Sequence, residues 1–301
     1  MIKLSRRRAL LGALCGALVL VPAAGGWAYS RSEPRSSAAP PAALQSAPSA
    51  ALPAAPSAAP PSSPATPEIG VTSAMPAPAP SLGAPVGWRL SDIPAFPPAP
   101  APEPITLPPG DKVPFLSRIP VTQPVAFLTI DDGYLKSPEA VKLLAAARIP
   151  VTLFLTTDAI RDNVEFFDQL RGYGAVIEAH TISHPELSGR SPDFQKHQIC
   201  DGADRLGQWY GRRPVLFRPP FGDKDSTTLR VAHECGLKAA FMWKETVDKG
   251  KVRYQEGRTV QPGDIILMHF RPAFVKDFIA ALQAIHRAGL TPALLEDYVP
   301  A

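Results

Sequence analysis

Only three cysteines occur in this 301-residue chain, at positions 15, 200 and 235. That excludes a fold held by a disulfide framework and a cysteine-rich zinc module. In an oxidising compartment Cys200 and Cys235 could pair, but with no framework pattern around them two separate buried thiols is the slightly favoured reading. Charge of one sign is also missing where a domain could fold. Residues 111–301 hold 24 Lys and Arg against 23 Asp and Glu, so the overall +4 comes mostly from the front of the chain. A basic nucleic-acid surface is therefore not expected. No repeat of solenoid length is present. Residues 31–110 lack any periodic apolar pattern and carry 22 of the 37 prolines among Ala and Ser. Such a stretch cannot bury enough surface to offset its ordering entropy, and it reads as a disordered, extended Pro/Ala/Ser-rich linker.

Long hydrophobic runs are scarce too. The one at the front spans Ala9 to about Ala24, directly after Arg6, Arg7 and Arg8. A basic start, an apolar run and then small residues describe an export signal over residues 1–30. Cleavage would fall after Ala23 or Ala28, and "SRRRALL" is similar to a twin-arginine signal with Ala9 in place of the usual Phe. The run to Tyr29 is also long enough to serve as an uncleaved membrane tether. Either way the expected location is outside the cytoplasmic membrane, free or attached to the envelope.

Residues 111–301 alternate between strand and helix patterns. Strands are expected at 124–130, 151–156, 175–179, 215–217, 238–243 and 264–269. Helices are expected from Ser137-Pro138-Glu139 to Arg148 and over 163–171, 191–210, 225–235 and 274–288, with a last strand in "TPALLEDYV". This alternation predicts an α/β fold with a parallel sheet, either a distorted (β/α) barrel of about seven units or an open doubly wound sheet.

The ionisable residues gather at strand ends. Asp131 and Asp132 follow the first strand, His180 the third, Arg218 the short "VLF" and His269 the sixth. In parallel α/β folds the carboxyl ends of the strands carry the site. Capping of the next helix would account for Asp132, but His180, Arg218 and His269 are poor N-caps. The spacing of His180 and His184 puts both imidazoles on one side if the segment turns helically. With Asp132 as third ligand they make an open metal site of the kind used for hydrolysis. Asp131 is then left beside the metal as a base.

The motifs "TIDDG" (129–133), "HTISH" (180–184), "RPPFG" (218–222) and "LMH" (267–269), in this order, resemble those of the polysaccharide deacetylase family, carbohydrate esterase family four. The resemblance covers about residues 120–301. It implies a distorted (β/α) barrel and a divalent metal, zinc by default, with cobalt, nickel or manganese also suited to the donors. It further implies Asp132, His180 and His184 as ligands, Asp131 as base and Arg218 as the residue that positions it. Phe221 would offer its backbone N–H to an oxyanion, Leu267 would line the acetyl pocket and His269 would act as acid. The family's fourth motif, an Asp closely followed by Trp, is replaced here by "FMWKETVDKG" (241–250). Trp243 can wall the pocket or be a buried strand-end aromatic, and Glu245 or Asp248 can partner Arg218. His197, His233 and His286 match no motif, Arg271 reads as solvated and Asp264 as a turn residue.

Three functions follow as expectations. The first is removal of acetyl groups from N-acetylated sugars of an envelope polysaccharide, peptidoglycan or chitin-like. The second is O-acetyl esterase activity on xylan or a similar glycan. The third is glycan binding with vestigial catalysis.

Overall fold

The computed structural model describes residues 87–300. The signal or anchor over 1–30 and most of the linker over 31–110 lie outside the described residues. The described chain runs β1 Phe115–Leu116, β2 Val125–Asp132, α1 Pro138–Ala147, β3 Val151–Leu155, α2 Thr157–Ile160, α3 Val164–Arg171, β4 Ala175–Ala179, α4 Pro192–Lys196, α5 Gly202–Tyr210, β5 Leu216–Phe217, α6 Ser226–Glu234, β6 Ala239–Phe241, β7 Glu245–Asp248, β8 Lys251–Tyr254, β9 Ile265–His269, α7 Phe274–Arg287 and β10 Thr291–Pro292. A π-helical turn, His197–Asp201, joins α4 to α5.

Local sequence sets many of these ends. The Ser137 hydroxyl accepts from Glu139 N at the start of α1, with Pro138 in the first turn. Asn163 caps α3 through Phe166 N at 3.1 Å, and Asp225 and Thr228 form a capping box on α6. All eight residues of β2 are buried, as expected for a central parallel strand.

The strands pair in the order β1-β6-β5-β4-β3-β2-β9-β7-β8, with β10 beside the start of β2. All pairs are parallel except the β7–β8 hairpin. The sheet is curled. Phe154 on β3 and Phe241 on β6 lie three strand spacings apart, about 14 Å in a flat sheet. Their ring centroids nevertheless stand 6.1 Å apart. Inside the curl, Phe127, Phe154, Leu216, Phe241, Leu295 and Tyr298 form one core, while the helices pack a second core on the outer face. The architecture is thus a curled mixed sheet, a half-barrel.

Three differences from the sequence expectation have identifiable causes. Between β6 and β9 the alternation gives way to the β7–β8 hairpin. Its turn residues Lys249 and Gly250 have φ of 52° and 76°, which matches the twist of a two-residue hairpin. The last strand shrinks to Thr291–Pro292, and the rest of "TPALLEDYV" folds over the inner core. Cys200 and Cys235 are bonded to each other, the alternative open to an oxidising compartment and not the slightly favoured separate thiols. The π-helical turn and the end of α6 bring their Cα atoms to 5.1 Å.

Part of the Pro-rich stretch packs on the domain. Trp88 is buried and its indole N–H donates to Glu139 at 2.8 Å. Phe96 meets the ring of His286, and Ile105 N donates to Tyr298 O. Among the described residues no helix is long and apolar enough to cross a membrane.

Away from the ends of β2 and β4, two glutamates among the described residues each keep a buried carboxyl oxygen without a hydrogen-bond partner. Glu296 accepts from Thr152 Oγ1, and its Oε1 has no partner. Glu245 lies beside Asp264, with its Oε2 unpartnered. Burial, reinforced by Glu178, pushes Glu296 up to about 8. Burial, reinforced by Asp264, pushes Glu245 up to about 9. Both values lie above the ordinary 4.5, so the folded protein keeps protons that the unfolded chain has released. Stability is therefore unimpaired by these groups below the ordinary value and is lost as pH rises towards 8 to 9. Glu245→Gln and Glu296→Gln are each expected to gain more than about 1 kcal/mol over wild type between pH 5 and pH 9. A difference in thermal unfolding that stays constant across that range rules the account out.

Candidate active site

The two aspartates at the end of β2 would normally point to opposite faces of the sheet, because side chains alternate along a strand. Asp131 is in register with Phe154 on β3 and His269 on β9, all facing into the curl. Asp132 breaks the alternation with φ of 74°, so its carboxylate swings to the same side. Gly133 follows at φ 100°, and a Cβ there would collide with Ile160. This pair of backbone turns is what lets consecutive carboxylates share one site.

Arg218, directly after β5, is fully buried. Its Nη1 donates to Asp131 Oδ1 at 2.7 Å and to Thr129 Oγ1 at 2.8 Å, and Nη2 donates to Met242 O at 3.2 Å. The guanidinium also lies 4.3 Å from the ring centre of Phe154 and 5.7 Å from that of Trp243. Burial pushes the guanidinium down, while Asp131 opposes that shift. Neither Glu245 nor Asp248 partners Arg218. Glu245 is turned towards Asp264, and Asp248 stands 3.8 Å from Arg253. Asp264, read as a turn residue, is buried and accepts from Arg118 Nε and from Gln261 N.

His180 and His184 do converge, but not on a helix. Thr181 and His184 have φ of 69° and 60°, so the segment is a loop, at a cost of roughly 1–2 kcal/mol per left-handed residue. His180 Nδ1 lies 2.7 Å from Arg218 O. A carbonyl only accepts, so Nδ1 carries the proton and Nε2 presents a lone pair. That Nε2 stands 3.5 Å from Asp132 Oδ1, and His184 Nε2 stands 3.3 Å from the same oxygen. Asp132 Oδ1 is buried without a hydrogen-bond partner. Burial pushes the Asp132 carboxyl up, but His180, His269 and His184 outweigh it and hold it below the usual range. One ligand atom from each of Asp132, His180 and His184 lies within 4.8 Å of the others. Lone pairs facing one another across such a gap fit a shared divalent cation.

The remaining expected residues line the same cleft, of about 390 Å³, which holds Phe221, Trp243, Leu267 and His269 around the Asp and His residues. Phe221 has φ of 60° and is 61% exposed, with its ring edge-on to His184 at 4.5 Å. Gly222 follows because any Cβ there would strike Met242. Burial pushes His269 down, while Asp131 and Asp132 pull the other way. Asp248, Arg253 and Arg271 also face this cleft. A larger cavity of about 630 Å³ lies under the Pro-rich segment, with only Arg148 and Asp297 as charged lining, and offers no comparable chemistry.

Sequence reasoning missed Thr129, which accepts from Arg218 and donates to Ile266 O at 2.7 Å. A threonine two before the aspartate, on the same strand face, was the available signal. It also missed Gln198 and Asp223, whose side chains grip the histidine loop and the residues after it.

The model of the polysaccharide deacetylase family matches residues 118–240. An uncharacterized protein of Streptomyces coelicolor is 35% identical over 192 residues, which is 62% of this chain and 77% of that one. A peptidoglycan-N-acetylglucosamine deacetylase of Bacillus cereus is 25% identical over 161 residues, 50% of this chain and 75% of its own. The solved structure of a family 4 carbohydrate esterase from Streptomyces lividans, in complex with acetate, has a similar fold. Its TM-score is 0.51 at 20% identity, covering 60% of this chain and 100% of that one.

Proposed function

Since the chain belongs to the polysaccharide deacetylase family, we propose that it is a metal-dependent hydrolase that removes acetyl groups from N-acetylated sugars of a cell-envelope polysaccharide, with peptidoglycan the leading substrate. The observation that carries this reading is the orphaned Asp132 Oδ1 between two imidazole nitrogens, with Asp131 beside it in the grip of Arg218. Asp132, His180 and His184 would hold the ion, zinc by the chemistry of the donor set, with cobalt, nickel and manganese also suited. When bound, a divalent ion polarises an acyl carbonyl and lowers the pKa of water.

The chain's own residues supply the rest. Arg218 occupies Oδ1 of Asp131 and leaves Oδ2 facing the site, 3.7 Å from His180 Nε2, as the atom that takes a proton from the attacking water. The Phe221 backbone N–H is offered to the developing oxyanion. His269, on the neighbouring strand and the same face as Asp131, gives a proton to the leaving nitrogen. Leu267 and Trp243 enclose the acetyl methyl group. The basic and apolar start of the sequence and the Pro/Ala-rich stretch support export, with the catalytic domain carried from the N-terminal segment across an envelope layer.

The test is acetate release from peptidoglycan and N-acetylated chitooligosaccharides, with and without a chelator. Chelator is expected to abolish release and zinc to restore it. Asp132→Ala and His180→Ala are each expected to lose both metal uptake and acetate release. Release that survives both substitutions rules the reading out.

A further inference from the structure

The loop that carries His184 has no regular secondary structure, yet its backbone must hold two left-handed residues in place. Its support comes from Gln198. The Gln198 Oε1 accepts from Ile182 N at 3.1 Å and from Ser183 N at 3.0 Å, and Nε2 donates to Ser183 Oγ at 3.1 Å. Gln198 is 5% exposed, and its bond to Ile182 N is buried, while Ser183 lies at the surface. Thr181 Oγ1 adds a bond from His184 N at 3.1 Å. From the far side, Asp223 accepts from Leu187 N and Ser188 N at 3.0 and 2.8 Å.

Gln198 reaches the loop from the π-helical turn His197–Asp201. Gln195, Gln198, Ile199, Ala203 and Leu206 are all buried, at the three- and four-residue spacings of one helix face, so Gln198 points inward towards the loop. Gly202 brings the helix backbone against the loop: a Cβ there would lie 3.2 Å from Thr181 C and 3.3 Å from Ile182 N. The disulfide from Cys200 to Cys235 ties this same turn to α6.

We infer that Gln198, held on a π turn pinned by the Cys200–Cys235 disulfide, is a positioning residue that fixes the loop between His180 and His184 for divalent-metal binding. The inference rests on the reading of Asp132, His180 and His184 as a metal site. Glutamine supplies one acceptor for the two N–H groups and one donor for the hydroxyl, and the acceptor is the part that holds the backbone.

The test is competition of the full chain with a chromophoric chelator for zinc, alongside thermal unfolding of the metal-free protein. Gln198→Met is expected to weaken zinc affinity about 10- to 100-fold. Gln198→Glu keeps both acceptor bonds and is expected to recover most of that loss. Leu206→Ala, a core change in α5 that leaves the loop untouched, should lower the melting temperature without the affinity loss. If Gln198→Met does not fold, Gln198→Asn, one methylene shorter, is expected to show the same weakening. Zinc bound by Gln198→Met as tightly as by wild type overturns the inference alone, as does equal weakening by Leu206→Ala. Wild type that takes up no zinc overturns the metal reading, and this inference with it.

Discussion

Replacing Arg218 with methionine is expected to destabilise the metal-free protein by about 3–5 kcal/mol, the cost typical of breaking a buried ion pair from one side. Arg218 is fully buried and its partner Asp131 is 2% exposed, so neither charge can turn to water when the other is lost. Methionine fills part of the space against Phe154 and Trp243 but leaves Asp131 Oδ1 and Thr129 Oγ1 without their donor. The second half of the prediction separates charge from packing. Asp131→Asn in the Arg218→Met background removes the stranded carboxylate and is expected to regain at least about half of the loss, giving a coupling energy of 0.5–3 kcal/mol in a double-mutant cycle. Urea unfolding of the four proteins in chelator measures this without any contribution from bound metal. A double variant no more stable than Arg218→Met would mean that the pair does not act as a unit. Lysine is not a substitute, because the bonds to Asp131, Thr129 and Met242 need the guanidinium fork.

The strand-end residues were legible because their signal is local. An apolar run that ends in Asp131-Asp132, in His180 or in His269 announces both the strand and the end at which it stops. Arg218 was legible for the same reason, after "VLF". The partners of these residues were not legible, since they depend on which strands become neighbours. Glu245 lies in the stretch expected to hold a partner for Arg218, yet register places it on β7 beside β9, against Asp264. The His180–His184 spacing suggested a helix, and only the tertiary bonds from Gln198 and the contact with Gly202 make a left-handed loop there instead. The disulfide escaped because two cysteines carry no pattern, and their approach depends on the π turn. The Lys249-Gly250 turn did leave a trace, with Val247 and Val252 on either side of a glycine-containing pair. Composition alone marks residues 87–110 as linker, because proline counts say nothing of Trp88 and Phe96, whose burial and ring contact exist only once α1 and α7 are in place.

Asp131→Asn and His269→Ala are expected to separate an N-deacetylase from an O-acetyl esterase. Asparagine keeps a hydrogen bond to Arg218 through its amide oxygen but cannot accept the proton of water, so kcat/KM should fall about 10²- to 10⁴-fold on N-acetylated and O-acetylated oligosaccharides alike. His269 acts at the other end of the reaction. A sugar nitrogen leaves only if it is protonated as the bond breaks, whereas a sugar oxygen leaves with less help. His269→Ala should therefore depress N-acetyl cleavage at least about tenfold more than O-acetyl cleavage. Proton transfer is plausible in geometry because His269 and Asp131 are register partners on β9 and β2, side by side on the same face, with the leaving group reaching one as water meets the other. Equal losses on both substrates would remove His269 from the role of acid. Wild type that favours the O-acetylated sugar would shift the substrate to an ester and leave the same Asp131 chemistry in place. Metal content measured on each variant guards the comparison, because neither residue belongs to the Asp132, His180 and His184 set. A variant that lost its metal would report on the site's assembly rather than on proton transfer.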